Sequence, residues 1–112
     1  QKTRAAREYS RQCMNQIYQS GKIRYTIGTD ANHGLLYKEL GFACEGGASA
    51  MDALKAVTVN AAKMCGVEKK KGMLKAGMQA DMIAVDENPL ENIHTLKNVS
   101  FVMKRGQIYK DV

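Results

Sequence analysis

The carboxylate of Asp30 is the group in this sequence whose surroundings best suit chemistry. It lies at the end of a β-type run, KIRYTIGTDA, at residues 22–31. Alternate side chains of a strand point to opposite faces, so one face carries bulky residues, namely Ile23, Tyr25 and Ile27. The other face reaches Asp30 through small residues, Thr26 and Gly28. The space beside the acid suits a metal ion or a substrate. On these residues alone, an ordinary turn aspartate after a glycine is the favoured interpretation.

Cysteine and histidine offer weaker candidates for nucleophilic chemistry. The cysteines are odd in number and lack C-x-x-C spacing; they are Cys13, Cys44 and Cys65. We expect them to pack as small apolar residues of helices, which favours a reducing cytoplasm. A cysteine nucleophile stays an alternative, but nothing in the sequence pairs either histidine, His33 or His94, with a thiol.

Length and composition exclude several classes of protein. A chain of 112 residues with 45% hydrophobic and 25% charged residues is predicted to be one globular domain, or a piece of one. No stretch approaches the roughly 20 apolar residues that span a bilayer. The formal charge of +6 is dispersed and few aromatic residues accompany it, so we expect no nucleic-acid binding. The sequence opens at Gln1, so an upstream signal could be missing.

Three helices are predicted before residue 67, because apolar side chains recur at spacings of three and four. They cover residues 3–19, residues 35–44 and a third stretch that ends at Gly66. In the third helix, Ser49 is the predicted N-cap, and Asp52 three residues later approximates a capping box.

Short strands without a further helix are predicted beyond a boundary near Gly66. Residues 82–85 form a short buried strand, and residues 99–104 and 107–110 bracket Arg105 and Gly106 as a tight hairpin. The strand at residues 22–31 has no parallel neighbour in the chain. We therefore expect a missing N-terminal part of the same protein to complete both sheets.

Several motifs follow one another in a recognisable order. They are GTDA at 28–31, ALKAVTVNAAKMCGV at 53–67, KGMLKAGMQADMIAVD at 71–86, NPL at 88–90 and VMKRGQIY at 102–109. GTDA alone carries little weight, but the whole series resembles the C-terminal portion of the metal-dependent amidohydrolase superfamily. Within that superfamily, it is most similar to the imidazolonepropionase-like and prolidase-like branch.

The resemblance implies an α/β fold that is part of a (β/α)8 TIM barrel followed by strands of a small β-sandwich. Residues 1–66 would supply the seventh barrel helix, the eighth strand and the helices after it. Residues 67–112 would supply the C-terminal strands of the composite sandwich. The eighth strand would then place Asp30 at the barrel's C-terminal rim, where the active sites of such barrels lie.

The resemblance also implies roles for single residues. Asp30 matches the aspartate that binds a divalent metal and moves a proton from the attacking water to the leaving group. The metal is expected to be zinc, one or two ions, with its other ligands upstream. His33 is a candidate substrate contact, although a histidine that merely faces solvent is an equal alternative. Three more residues are expected to be structural or on the surface: Asn60, Asp81 and His94.

The expected activity is hydrolysis of an amide or cyclic-amide C–N bond by metal-activated water, as in a prolidase-like dipeptidase or carboxypeptidase. The substrate would be a small molecule or dipeptide-like, and the protein a cytoplasmic homo-oligomer. One alternative is a non-catalytic binding or assembly module derived from the same fold. A second is an imidazolonepropionase-type ring opening or a deaminase. This chain alone is predicted to be inactive.

Overall fold

The helices come first along the chain and the strands last. A computed structural model describes residues 2–30 and 32–112. The helices are α1 (Lys2–Ser20), α2 (Leu36–Glu45), α3 (Ala50–Val57) and α4 (Val59–Met64). The strands are β1 (Met82–Val85), β2 (Val99–Lys104) and β3 (Gln107–Asp111), with a 3-10 helix, Ile93–Lys97, between β1 and β2. The first two predicted helices are confirmed to within a residue at each end.

The predicted third helix is wrong in one respect, because it is broken into α3 and α4 at Thr58. Its start is as expected, since the Ser49 hydroxyl accepts a hydrogen bond from the Asp52 backbone N–H at 3.0 Å. Thr58 has φ −119° and ψ −93°, outside the helical region, and its hydroxyl donates to the Leu54 carbonyl at 2.7 Å. Threonine lies between two valines here, and β-branched residues are strained in a helix, so the break falls where propensity is lowest.

The segment of residues 22–29 runs between α1 and Asp30 with no helix or strand assigned to it. Within the described residues, the only sheet has the order β1-β2-β3, so no strand pairs with this segment. The bulky face predicted from the sequence does turn toward the helices at two positions. Ile27 packs against the core, and Tyr25 is half-buried, whereas Ile23 is exposed.

The sheet is a three-stranded antiparallel one, and its hairpin is confirmed. Arg105 and Gly106 both have positive φ, 51° and 79°, as a tight two-residue hairpin turn requires. The prediction of a buried β1 is wrong, because Ile83 is 56% exposed. Nothing in the described part of the chain covers that side of the strand. The 3-10 helix was not predicted; Asn92 starts it, its side chain accepting from the His94 N–H at 3.1 Å.

The core lies among the helices. Its centre is Leu40 of α2, Ala53 of α3 and Ile93 of the 3-10 helix. The 3-10 helix therefore packs on α2, and a Cβ added to Gly41 would come within 3.1 Å of the His94 ring. The described residues contain no helix long and apolar enough to cross a bilayer. The domain boundary near Gly66 stays a prediction.

Candidate functional site

The carboxylate of Asp30 is exposed at the end of the segment that α1 leads into. Within the described residues no hydrogen bond or ion pair occupies it. His33 is also exposed, in a turn three residues further on, as expected of either a substrate contact or a solvent-facing side chain. No group of three or more His, Cys, Asp or Glu side chains in the described residues is placed to hold a metal ion. Among the described residues, Asp30 is therefore a candidate metal ligand with no second candidate beside it.

All four helices hold the segment before Asp30. From α1, the Tyr18 ring meets the Tyr25 ring edge to face, with centroids 5.0 Å apart and planes at 63°. From α4, the Asn60 side-chain NH2 donates to the Tyr25 carbonyl at 3.0 Å. Ile27 packs on the core that α2 and α3 form. Asn60 therefore has a structural role, as expected, through a hydrogen bond to backbone, and its partner is 35 residues away in sequence.

Burial raises the pKa of titratable groups in the segment and behind it. It raises the pKa of Tyr25, with a further contribution from the Asp52 carboxylate, and that of Tyr18, where Glu39 adds to the effect. Burial also raises the pKa of the Cys44 thiol, which packs against the core. A thiol held protonated is a poor nucleophile, so the core interpretation holds for Cys44. It is wrong for Cys65, which is exposed just after α4.

The carboxylate of Asp81 has a structural role, as predicted. One oxygen accepts from the Arg105 backbone N–H at 2.8 Å, and the other pairs with the Lys71 ammonium at 3.1 Å. The Arg105 N–H, and then Lys71, hold the pKa of Asp81 below its usual value. Asp81 thus ties the start of β1 to the hairpin turn and to the loop before it.

Two open clefts flank the segment. The first, about 420 Å³, lies between α1 and α2, with Thr26, Ile27 and Gly28 at its base. The second, about 540 Å³, lies beside α4; we name it the α4 cleft. Its lining residues are Arg24, Tyr25, Thr26, Asn60, Lys63 and Met64.

The sequence profile of the Amidohydrolase family matches residues 5–109. The chain belongs to the amidohydrolase family. The segment that ends at Asp30, the helices that hold it and the three-stranded sheet all fall inside the matched range.

Proteins of known activity are similar to this member of the amidohydrolase family. Ochratoxinase from Aspergillus niger is 40% identical over 94 residues, which are 79% of this chain and 20% of that protein. A solved Xaa-Pro dipeptidase with methionine bound in its active site superimposes with a TM-score of 0.84 at 36% identity, covering 89% of this chain and 25% of that one. A 5-methylthioadenosine/S-adenosylhomocysteine deaminase from Teredinibacter turnerae is 38% identical over 82 residues, 62% of this chain and 19% of that protein.

The chain therefore spans about a fifth of the length of the curated relatives that it matches. Amidohydrolases generally use divalent metals, and the residues here fit that use in part. The Asp30 carboxylate is exposed and bonded to no other described residue, as a metal ligand must be, but the described residues supply no second ligand beside it.

Sequence reasoning missed the α4 cleft. One signal was available for Arg24, because the period of two that joins Thr26, Gly28 and Asp30 also includes position 24. No such signal pointed to Lys63 or Met64. They meet the segment only because α3 and α4 turn back onto it.

Proposed function

We propose that this chain is the C-terminal portion of a metal-dependent hydrolase that cleaves amide C–N bonds, and that Asp30 is a catalytic residue and a metal ligand in it. Residues 22–30 would be the eighth strand of a TIM barrel, completed by upstream strands. The barrel's other residues would supply the remaining ligands. Zinc is the first choice among divalent ions.

One observation carries this proposal. The family match includes a segment that the helices hold in place, and the segment ends at the exposed carboxylate of Asp30, which has no bonding partner among the described residues. A bound divalent cation would acidify water and polarise the substrate carbonyl. The Asp30 carboxylate would accept the proton that the water loses and deliver it to the leaving nitrogen. Small neighbours, Thr26 and Gly28, would leave room for water and substrate.

The substrate class follows from the relatives. The similar Xaa-Pro dipeptidase is named for a dipeptide substrate, so we propose a dipeptide or another small amide. His33 would contact this substrate from the turn after Asp30. A deaminase is the second candidate, favoured by the similarity to the Teredinibacter turnerae deaminase.

The test uses the full-length protein and compares Asp30→Asn with Asp86→Asn. Both replace an exposed carboxylate by an isosteric amide, but Asp86 lies beyond β1 in the sheet portion. Turnover of Xaa-Pro dipeptides and N-acyl amino acids should fall by roughly three or more orders of magnitude in Asp30→Asn, because a proton acceptor and a metal ligand are lost together. The melting temperature should hardly change.

Equal turnover in the two variants would show that Asp30 is not catalytic. Adenosine-type substrates, tested in parallel, separate the hydrolase from the deaminase. The non-catalytic alternative predicts that no such substrate turns over and that the upstream sequence lacks the metal-binding H-x-H pair that the family resemblance implies after the first barrel strand. A cytoplasmic location and a homo-oligomeric state remain part of the proposal, and the mass of the purified protein tests the second.

A further inference from the structure

We infer that Asn60 is a positioning residue for Asp30, because its hydrogen bond to the Tyr25 carbonyl sets the place at which the Asp30 carboxylate meets the metal ion and the substrate. The inference rests on the proposed function, in which Asp30 is catalytic. It goes beyond a structural role for Asn60. A residue that only stabilised the fold would change the melting temperature and leave the turnover of folded molecules as it was.

Within the described chain, residues 23–28 lack the backbone hydrogen bonds that fix a helix or a strand. The side-chain hydrogen bonds that reach them from described residues both involve α4. The Asn60 amide donates to the Tyr25 carbonyl at 3.0 Å, and the Thr26 hydroxyl donates to the Met64 sulfur at 3.4 Å. Thioether sulfur is a weak acceptor, so Asn60 makes the stronger contact of the two.

The helix that carries Asn60 is itself held in place. Asn60 and Met64 are four positions apart, so they lie on one face of α4. Ala62, between them in sequence, is buried, and the backbone of Gly72 packs on its side chain. A donor on a helix that is packed in this way holds its acceptor more precisely than a donor on a loop does.

A shift at Tyr25 reaches Asp30 through Ile27. The core holds Ile27, which lies two residues after Tyr25 and three residues before Asp30. At about 3.3 Å per residue of extended chain, the two distances are roughly 7 and 10 Å. A tilt of the segment about Ile27 therefore moves Asp30 further than it moves Tyr25. A displacement of about 1 Å in a catalytic site can lower turnover a hundredfold.

The upstream strands expected beside this segment would not replace the Asn60 contact. A backbone carbonyl has two lone pairs, so the Tyr25 carbonyl can accept from Asn60 and from a neighbouring strand together. Hydrogen bonds between strands determine which residues pair. The Asn60 bond determines how closely this segment lies against α4.

Asn60→Asp in the full-length protein tests the inference, because it removes the donor and keeps the shape of the side chain. An acidic residue suits the first turn of α4 and can pair with Lys63 three positions later, so the variant should fold. For an Xaa-Pro dipeptide, kcat should fall roughly tenfold to a hundredfold with little change in KM. The zinc dissociation constant, measured against a competing chelator, should rise by a similar factor.

Asn92→Asp is the matched control. The Asn92 amide donates to a Glu87 carboxylate oxygen at 2.6 Å, so this variant also loses a donor that faces an oxygen, far from α4 in sequence. Its melting temperature should fall, because two carboxylates would face each other, while kcat and zinc affinity should not change. Equal losses of turnover in the two variants would overturn the inference. Unchanged kcat and zinc affinity in Asn60→Asp would overturn it as well.

A double variant separates failure of the inference from failure of the proposed function. If Asn60 acts through Asp30, Asn60→Asp should change the zinc dissociation constant less than about twofold in the Asp30→Asn background. Effects that multiply would overturn the inference, whereas the loss of turnover in Asp30→Asn alone would still support the proposed function. Full turnover in Asp30→Asn would refute both. If Asn60→Asp does not fold, Asn60→Ala replaces it, with Asn92→Ala as its control.

Discussion

At the scale of single residues, the contrast between two aspartates separates a candidate site from a structural contact. Both oxygens of Asp81 are occupied, by the Arg105 N–H and the Lys71 ammonium. The carboxylate of Asp30 is exposed and has no such partner among the described residues. A carboxylate that binds a metal needs accessible lone pairs, so of these two aspartates Asp30 is the better candidate for the proposed role.

His33 is the residue whose proposed role most needs a separate measurement. In the full-length protein, His33→Gln should raise KM roughly tenfold while kcat changes less, because a lost substrate contact weakens binding of the ground state and the transition state alike. His94→Gln is the control, since the His94 ring covers Gly41 of α2 and lies in the other half of the chain. It should lower stability slightly and leave KM unchanged. An unchanged KM in His33→Gln would show that the His33 side chain faces solvent and does not contact the substrate.

Asp81 predicts a dependence of stability on pH. Its pKa is lowered in the folded protein by the Arg105 N–H first and by Lys71 next. The stabilisation is therefore present above the unfolded pKa, about 3.9, and is lost as the pH falls through the folded value. The melting temperature of Asp81→Asn should lie below that of the wild type at neutral pH, and the gap should close below about pH 4. A gap that does not depend on pH would contradict this ionic role; Asp86→Asn should show no gap.

At the scale of elements, the loop after α4 is held against that helix by a close approach of backbone. Gly72 has φ +105°, and a Cβ built on it would lie 2.6 Å from the Ala62 Cβ and 3.3 Å from the Thr58 carbonyl. The approach holds the loop beside the break between α3 and α4. Because α4 also holds Tyr25 through Asn60, the loop supports the segment that ends at Asp30.

Gly72→Ala tests this packing against a matched glycine. Gly77 also has positive φ, +85°, but nothing lies within 4 Å of a Cβ built there. Gly77→Ala should lower the free energy of unfolding by about 1 kcal/mol from backbone strain alone. Gly72→Ala should lower the free energy of unfolding by about 1–3 kcal/mol more than Gly77→Ala does, because its new Cβ also clashes with α4. Urea unfolding of the full-length protein measures both. Equal losses would show that the loop can move away from α4 at no cost.

At the scale of the whole molecule, the chain exposes more surface than a self-contained domain. Its accessible area is 8516 Å². A folded monomer of 12.4 kDa is expected to expose about 6,100 Å². Its radius of gyration, 15.6 Å, exceeds the value of about 13 Å for a compact domain of this length. Large apolar side chains stay exposed on helices and sheet alike, such as Phe42 at 60% and Ile108 at 53%. This is the surface that the rest of a larger fold would cover.

The isolated 112-residue chain is therefore predicted to bind no stoichiometric metal and to hydrolyse none of the proposed substrates. A catalytic zinc site takes about three protein ligands, and the described residues provide Asp30 without a second ligand beside it. Metal analysis of the purified chain after dialysis measures this. One equivalent of bound zinc would show that the site needs no upstream ligands.

Local features of the fold could be predicted from the sequence because they depend on neighbouring residues. The periodicity of α1 and α2, the Ser49 cap and the Arg105-Gly106 turn all follow from contacts within a few positions. The order of motifs was enough to identify the family. Asp30 was a candidate on its own spacing, but its proposed role as a site residue came from that resemblance.

Only the tertiary structure decided how distant residues meet. Asn60 reaches the Tyr25 carbonyl, and Lys63 and Met64 join Arg24 in one cleft, because Thr58 breaks the third helix and Gly72 packs against α4. The exposure of Ile83 could not be predicted from the sequence either, because an apolar strand has the same sequence pattern whether or not another part of the protein packs on it. Periodicity records which face of an element is apolar; it does not record which other part of the protein packs against that face.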